Sequence, residues 1–303
     1  MSRRAAGLLT VAAAVSFLIS PAVQAATDKP QTPDLAGTWL ISPQVAVDLI
    51  KQGALVIDAR GADLKRKRSP LPGAVSLEWQ DLSEPSKPVK GRPLPVGQAT
   101  PKLQALGITK DRPVIVLADS VRGWGEDGRV VWLLRHWGHT RAVLVDGGIT
   151  ALEKLGPLSL QPAAAKGDFV AHEQPLLEIK KEEVRSKLSN RDVAFLDVRE
   201  AREYEGKTPY GESRGGHLPP AKHLFYKDLL DKEGRLLPRD EIEKVLADRG
   251  VTRDKEVVSY CTAGIRSGWV TAVLNDLGYK ARNYAGSMWE WSAQSAADFP
   301  LEK

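Results

Sequence analysis

Short runs in which nearly every position is apolar recur along the chain, and each stops at a polar or glycine-rich segment. They include "LVIDA" (55–59), "VIVLA" (114–118), "AVLV" (142–145), "AFLDV" (194–198) and "VVSY" (257–260). They are too short for helices and lack the alternation of a strand with one wet face, so they read as strands buried on both sides. Between them lie segments with apolar residues at helical spacing, among them "RVVWLLRHWGH" (129–139) and "SGWVTAVLNDLG" (267–278). Strands alternating with helices predict an α/β fold of parallel sheets flanked by helices.

The pattern occurs twice. "ALVIDARGAD" (54–63), "PVIVLADS" (113–120), "RVVWLLRHWGH" and "AVLVDGGITAL" (142–152) appear in the order that "AFLDVREAREY" (194–204), "EVVSYCTAG" (256–264), "SGWVTAVLNDLGY" (267–279) and "ARNYAGSMWEW" (281–291) repeat. Each half reads strand, long loop, strand, helix, strand. The stretch between the halves is rich in Pro, Gly and Ala without helical or strand period, which marks a linker. The expected organisation is one domain over 27–155, a linker over 156–175 and a second domain over 176–303. Laying "PVIVLAD" on "KEVVSYC" puts Asp119 opposite Cys261, so the two halves are related in form and different in chemistry.

The first 25 residues have the make-up of a cleavable export signal: Arg3 and Arg4, an apolar stretch from Ala5 to Ile19, and Val23-Gln24-Ala25 as a small-x-small site. A periplasmic protein is the expectation, by either a general or a twin-arginine route. The apolar stretch is short for a membrane anchor, and no later segment is apolar enough to span, so no membrane association is expected after cleavage. Removing residues 1–25 leaves 41 Lys and Arg against 38 Asp and Glu, too mild a surplus for a nucleic-acid partner. The basic cluster "LKRKRS" (64–69) reads as a solvated loop. The five histidines show no ligand spacing, so neither metal nor cofactor is expected.

Cys261 is the one cysteine of the chain. A lone cysteine is commonly a small buried hydrophobe. In an oxidising compartment it is also unable to form an internal disulfide, which leaves it as a liability or a reagent. Its position favours the reagent: a strand ends at Cys261 and a helix begins just beyond, so backbone N–H groups of Thr262, Ala263, Gly264, Ile265, Arg266 and Ser267 can converge on an anion there. Arg266 adds a cation, and a thiolate near cations and a helix N-terminus is the reactive form.

Taken together, the two "D-x-R" strand ends, "GGHLPPAKHL" (215–224), the "RVVWLLRHWGH" helix, "VDGG" (145–148) and a cysteine loop in the second half only make the chain similar to the tandem-domain rhodaneses, the sulfurtransferases. The resemblance implies two rhodanese-like domains, the first non-catalytic with Asp119 where the second has Cys261. It implies that Cys261 takes a sulfur from a small anionic donor and passes it, as a persulfide, to a thiophilic acceptor. It also implies that Arg199, from "DVRE", contacts the donor, although an ion pair with Asp197, Glu200 or Glu203 is an equally good reading. Arg266 is expected to hold the donor's anionic end or the thiolate. His217, Asp197 and His139 read as structural, and Trp289 and Trp291 as core.

Thiosulfate is the expected donor, because a cation kept in the loop suits a small dianion; 3-mercaptopyruvate is the alternative. "CTAGIRS" has neither the cations directly after cysteine of thiosulfate-type members nor the "GVT" ending of mercaptopyruvate-type members. Phosphatases related in fold need five residues between Cys and Arg, and this loop has four, a smaller ring that favours a sulfur atom over a phosphoryl group. A persulfide carrier with little turnover is the non-enzymatic alternative.

Overall fold

The computed structural model describes residues 34–67 and 71–303. The expected signal at 1–25 and residues 68–69 of the basic cluster lie outside the described residues. Domain one builds a sheet from β1 (Leu40–Ile41), β2 (Leu55–Asp58), β3 (Val75–Ser76), β4 (Val114–Leu117) and β5 (Ala142–Val145), in the order β1-β5-β4-β2-β3. Domain two builds one from β6 (Val193–Asp197), β7 (Lys222–His223), β8 (Glu256–Tyr260) and β9 (Lys280–Asn283), in the order β7-β6-β8-β9. Every pairing is parallel, with Leu55 opposite Val114 in one sheet and Val193 opposite Glu256 in the other. All residues of β2 and β4 are buried, which is why their sequence runs are continuously apolar.

Helices α1 (Pro43–Lys51), α2 (Ala62–Lys67), α3 (Val96–Ala105), α4 (Glu126–His136) and α5 (Gly148–Glu153) cover the first sheet, and α6 (Lys181–Lys187), α7 (Ala201–Tyr204), α8 (Arg239–Ala247), α9 (Ile265–Asp276) and α10 (Ser287–Trp291) the second. The helix α4 is buried along its whole length. It lies between its own sheet and α9, and α4 and α9 touch each other more extensively than any other two elements. A helix buried all round is apolar or internally compensated on every face, and α4 buries Glu126, Asp127, Arg129, Arg135 and His136 along its length.

Polar ties fasten the two sheets across this seam. Asp276 Oδ1 accepts from the N–H groups of Trp39 and Leu40 at 2.8 and 3.1 Å. Tyr226 donates to the Gly123 carbonyl at 2.8 Å, Lys227 to Val121 at 2.6 Å, and Lys87 to Tyr210 and Gly211 at 2.8 Å each. The segment 156–175 holds no helix or strand, in line with its composition. It is nonetheless packed down: Gly167 donates to Gln104, Lys110 donates to Asp168, and Phe169 and Ala171 are buried. The sheets' carboxyl ends bring Asp119, after β4, and Cys261, after β8, to the rim where ligands of such sheets bind.

Candidate active site

Cys261 follows β8 directly, and a three-residue turn leads into α9. The turn closes at Gly264, whose φ of 77° is a left-handed conformation that a side chain would strain. Met288 and Trp289 of α10 donate their N–H groups to the carbonyls of Cys261 and Thr262, both at 3.1 Å. Ser287 accepts from the Cys261 N–H at 3.1 Å and donates to Tyr284 O at 2.7 Å. Ser287 is itself held at φ 51°, a conformation costly for a residue with a side chain and kept only where the surroundings fix it.

The thiol is 1% exposed and faces a cavity of about 220 Å³. Trp124, Tyr210 and Trp289 form its walls, and Thr262, Ala263, Ile265 and Arg266 its floor. Burial pushes the Cys261 thiol up. The Arg266 cation, the N–H groups of Ser267 and Ala263 and the Ser267 hydroxyl together outweigh that and leave it below its ordinary value. The Ser267 Oγ lies 3.6 Å from Sγ. The loop therefore offers donors to an anionic sulfur, as the order of strand and helix implies.

Arg266 is placed differently from the simplest expectation. It is buried and paired inside the protein: Nη1 and Nη2 bond Glu203 at 2.6 and 2.9 Å, and Nη2 also bonds Thr262 Oγ1 at 2.7 Å. Thr262 in turn donates to Glu203 at 2.7 Å. Burial disfavours the cation, but Glu203 and the Cys261 thiolate hold it above the ordinary arginine range. Burial likewise pushes Glu203 up, and Arg266 brings it below the usual carboxylate range. Arg266 lies against the rings of Trp124 and Tyr210, 5.3 and 5.8 Å from their centroids. Both of its Nη atoms are bonded to Glu203 and Thr262, and it acts on the sulfur through its field.

Arg199 does not line the cavity. It forms a fully buried pair with Asp197 at 2.6 Å and donates to the Gly216 carbonyl at 2.8 Å. Domain one repeats this pair as Arg60 and Asp58 at 2.7 Å. A pair present in both halves cannot be specific to the half with the thiol, so the donor-contact reading of Arg199 gives way to its ion-pair alternative. The residues read as structural are so placed: His217 bonds Tyr204 O at 3.0 Å and stacks on the Tyr204 ring, and His139 bonds Thr109 O at 3.0 Å. Trp291 is core, donating to Pro300 O. Trp289 is a cavity wall instead, because residues two apart on a helix face different sides and Trp291 takes the core side of α10.

Five residues of the site have no local signal in the sequence. Glu203 comes from α7, Tyr210 from the loop after it, and Trp124 from domain one. Lys87 and Lys90, also from domain one, lie 4.7 and 5.3 Å over the Trp289 ring and put positive charge at the rim. In domain one the place of Cys261 falls to Ala118 rather than to Asp119 as the ungapped alignment has it: Leu117 pairs with Asp58 as Tyr260 pairs with Asp197, and the Ala118 carbonyl accepts from Ile149 as that of Cys261 accepts from Met288. Asp119 stands one residue on, bonded to Arg122 at 2.6 and 2.8 Å and to the N–H groups of Val121 and Arg122. Burial pushes that carboxyl up, and Arg122 with the two N–H groups holds it below the ordinary value. Among the described residues, no group of His, Cys, Asp and Glu could hold a metal ion, and no helix is long and apolar enough to cross a membrane.

Two parallel sheets, a single thiol at the end of one of them and none at the matching place in the other, where Ala118 stands next to Asp119, define a tandem-domain sulfurtransferase fold. The rhodanese-like domain family matches the chain at residues 42–155 and again at 180–294, and the chain belongs to that family. A thiosulfate sulfurtransferase of Azotobacter vinelandii is 31% identical over 237 residues, 77% of this chain and 85% of that protein. A probable 3-mercaptopyruvate sulfurtransferase of Pseudomonas aeruginosa is 32% identical over 272 residues, 83% of this chain and 94% of that one. Among solved structures, Tum1 of Saccharomyces cerevisiae superposes with a TM-score of 0.74 at 21% identity, covering 88% of this chain and 98% of its own. SseA of Escherichia coli, described with the rhodanese fold and mechanism of 3-mercaptopyruvate sulfotransferases, gives 0.70 at 22% identity, covering 82% and 98%.

Proposed function

We propose that the protein moves a sulfane sulfur from thiosulfate to a thiophilic acceptor through a persulfide on Cys261, in the periplasm. The observation that carries this is the Cys261 thiol itself, held below its ordinary ionisation range at the floor of a cavity, with N–H and O–H donors turned toward it. The thiolate attacks the outer sulfur of thiosulfate. A new S–S bond forms on Cys261, the donor's S–S bond breaks, and its electron pair leaves with sulfite. Cyanide or a thiolate then attacks the outer persulfide sulfur, and Cys261 departs as the thiolate with which the cycle began. The site is anionic throughout, so the same preorganised donors serve every stage.

Thiosulfate is favoured over 3-mercaptopyruvate by the positive rim of Lys87 and Lys90, which attracts a small dianion. The curated relatives divide between the two donors. Steady-state kinetics decide: thiosulfate with cyanide should give parallel double-reciprocal lines, and Cys261→Ser should abolish turnover, since a hydroxyl is a far weaker nucleophile at neutral pH. Turnover in Cys261→Ser within about tenfold of wild type would end the persulfide reading, and a higher kcat/KM for 3-mercaptopyruvate would reassign the donor.

A further inference from the structure

The half of the chain without a cysteine places a buried cation beneath the catalytic loop. Arg129, in the first turns of α4, is wholly buried. Its hydrogen bonds go to neutral oxygens: Nη1 to the Gly264 carbonyl at 3.2 Å, Nη2 to Ser83 Oγ at 3.2 Å and Nη2 to the Gly91 carbonyl. Nε has no partner among the described residues, and the guanidinium lies 4.8 Å over the Trp132 ring. Buried charges are ordinarily paired with an opposite charge. Burial brings Arg129 down to about 10, against the pull of Cys261 and of Glu178, a carboxyl that burial itself raises to about 7; His136, held down to about 4 by burial and by Arg129, also faces it. Arg129 is therefore still charged at neutral pH.

The three acceptors belong to pieces of the active site. Gly264 closes the turn that carries Cys261, while Ser83 and Gly91 bracket the domain-one segment bearing Lys87 and Lys90 to the rim. That segment presses on the loop so closely that a Cβ on Gly91 would overlap the Ala263 carbonyl. One guanidinium thus touches both sides of this contact, with Cys261 inside its field.

We propose that Arg129 is a positioning residue for sulfur transfer: it clamps the Cys261 turn to segment 83–91, and its unpaired charge stabilises Cys261 as thiolate and as persulfide anion. The persulfide part rests on the function proposed above; the thiolate part does not. Arg266, already neutralised by Glu203, and Arg129, without a carboxylate partner, then act on the sulfur from opposite domains. Domain one contributes electrostatics to the reaction as well as a scaffold.

The test is the rate of Cys261 alkylation by iodoacetamide as a function of pH in the full-length protein, which reads thiol ionisation with no sulfur donor present. Arg129→Met should move the midpoint upward and slow alkylation below it by about three- to tenfold, because a nearby cation has been lost. It should lower kcat/KM for thiosulfate by at least about tenfold. Arg129→Lys should keep the midpoint near wild type while lowering kcat, since a single ammonium cannot span the Gly264 and Gly91 carbonyls as a fork does. If Arg129→Met does not fold, Arg129→Gln, which retains N–H donors without charge, should give the same upward midpoint. An unchanged midpoint in the folded neutral variant would overturn the proposal. A wild-type protein with the expected alkylation pattern that takes up no sulfur would instead overturn the persulfide reading and leave the thiolate role of Arg129 standing.

Discussion

Replacing Glu203 by Gln should weaken the fold and yet make Cys261 more acidic. Glu203 is fully buried, and its carboxylate accepts two bonds from Arg266 and one from Thr262. Removing one partner of such a pair leaves an uncompensated buried charge, which costs about 3–5 kcal/mol. For a unit of this size that is a fall in melting temperature of roughly 5–10 °C. The electrostatic consequence at the thiol has the opposite sign to damage. Arg266 keeps its charge and loses its neutralising partner, while the negative charge of Glu203 disappears from the neighbourhood, and both changes favour the thiolate. The midpoint of Cys261 alkylation against pH should therefore fall in Glu203→Gln. Arg266→Met, which suffers a comparable stability loss by stranding Glu203, should raise it. Melting by circular dichroism and alkylation by iodoacetamide measure the two effects separately. Equal midpoints in the two variants would refute the argument, because they would show that the pair is a structural tie with no influence on the sulfur.

Replacing both Lys87 and Lys90 by Ala should raise KM for thiosulfate about three- to tenfold at low salt with little change in kcat, and should flatten the dependence of kcat/KM on ionic strength, since rim charges act mainly on encounter. Asp119→Ala should leave turnover within about threefold, because its partner Arg122 is largely solvent-exposed and such pairs contribute little; a loss as complete as that of Cys261→Ser would contradict the division of labour between the domains. Asp127, buried at the start of α4, has its carboxyl pushed by burial from 3.8 up to about 7. The folded state thus binds a proton that the unfolded chain releases, and the stability this confers is full below about 3.8 and lost as pH rises through about 7. Urea melts of Asp127→Asn against wild type should show a smaller decline in stability across that window.

The alternation of buried strands and helices was legible in the sequence because a strand covered on both faces must be apolar at every position. The same reasoning missed β1, β3 and β7, which are two residues long and carry no period. Cys261 stood out by being a lone thiol at a strand-to-helix junction. Arg199 misled because "D-x-R" at a strand end has the look of a binding motif, and only the Arg60–Asp58 counterpart in the other sheet reveals its structural character. The partners of Arg266 and Arg129 could not be read locally. Glu203 lies 63 residues from Arg266 along the chain, and Gly264 lies 135 from Arg129, so topology alone brings them together. Trp124, Lys87 and Lys90 reach the cavity from the opposite domain for the same reason.

The central claim is that sulfur rests covalently on Cys261 between donor and acceptor. Intact-protein mass spectrometry after brief exposure to thiosulfate, followed by peptide mapping, measures this directly. A gain of one sulfur atom confined to the peptide bearing Cys261, removed by cyanide with release of thiocyanate and absent in Cys261→Ser, is the predicted result. Wild-type protein that turns over thiosulfate and cyanide without ever carrying the added sulfur, or that carries it equally in Cys261→Ser, would contradict the account.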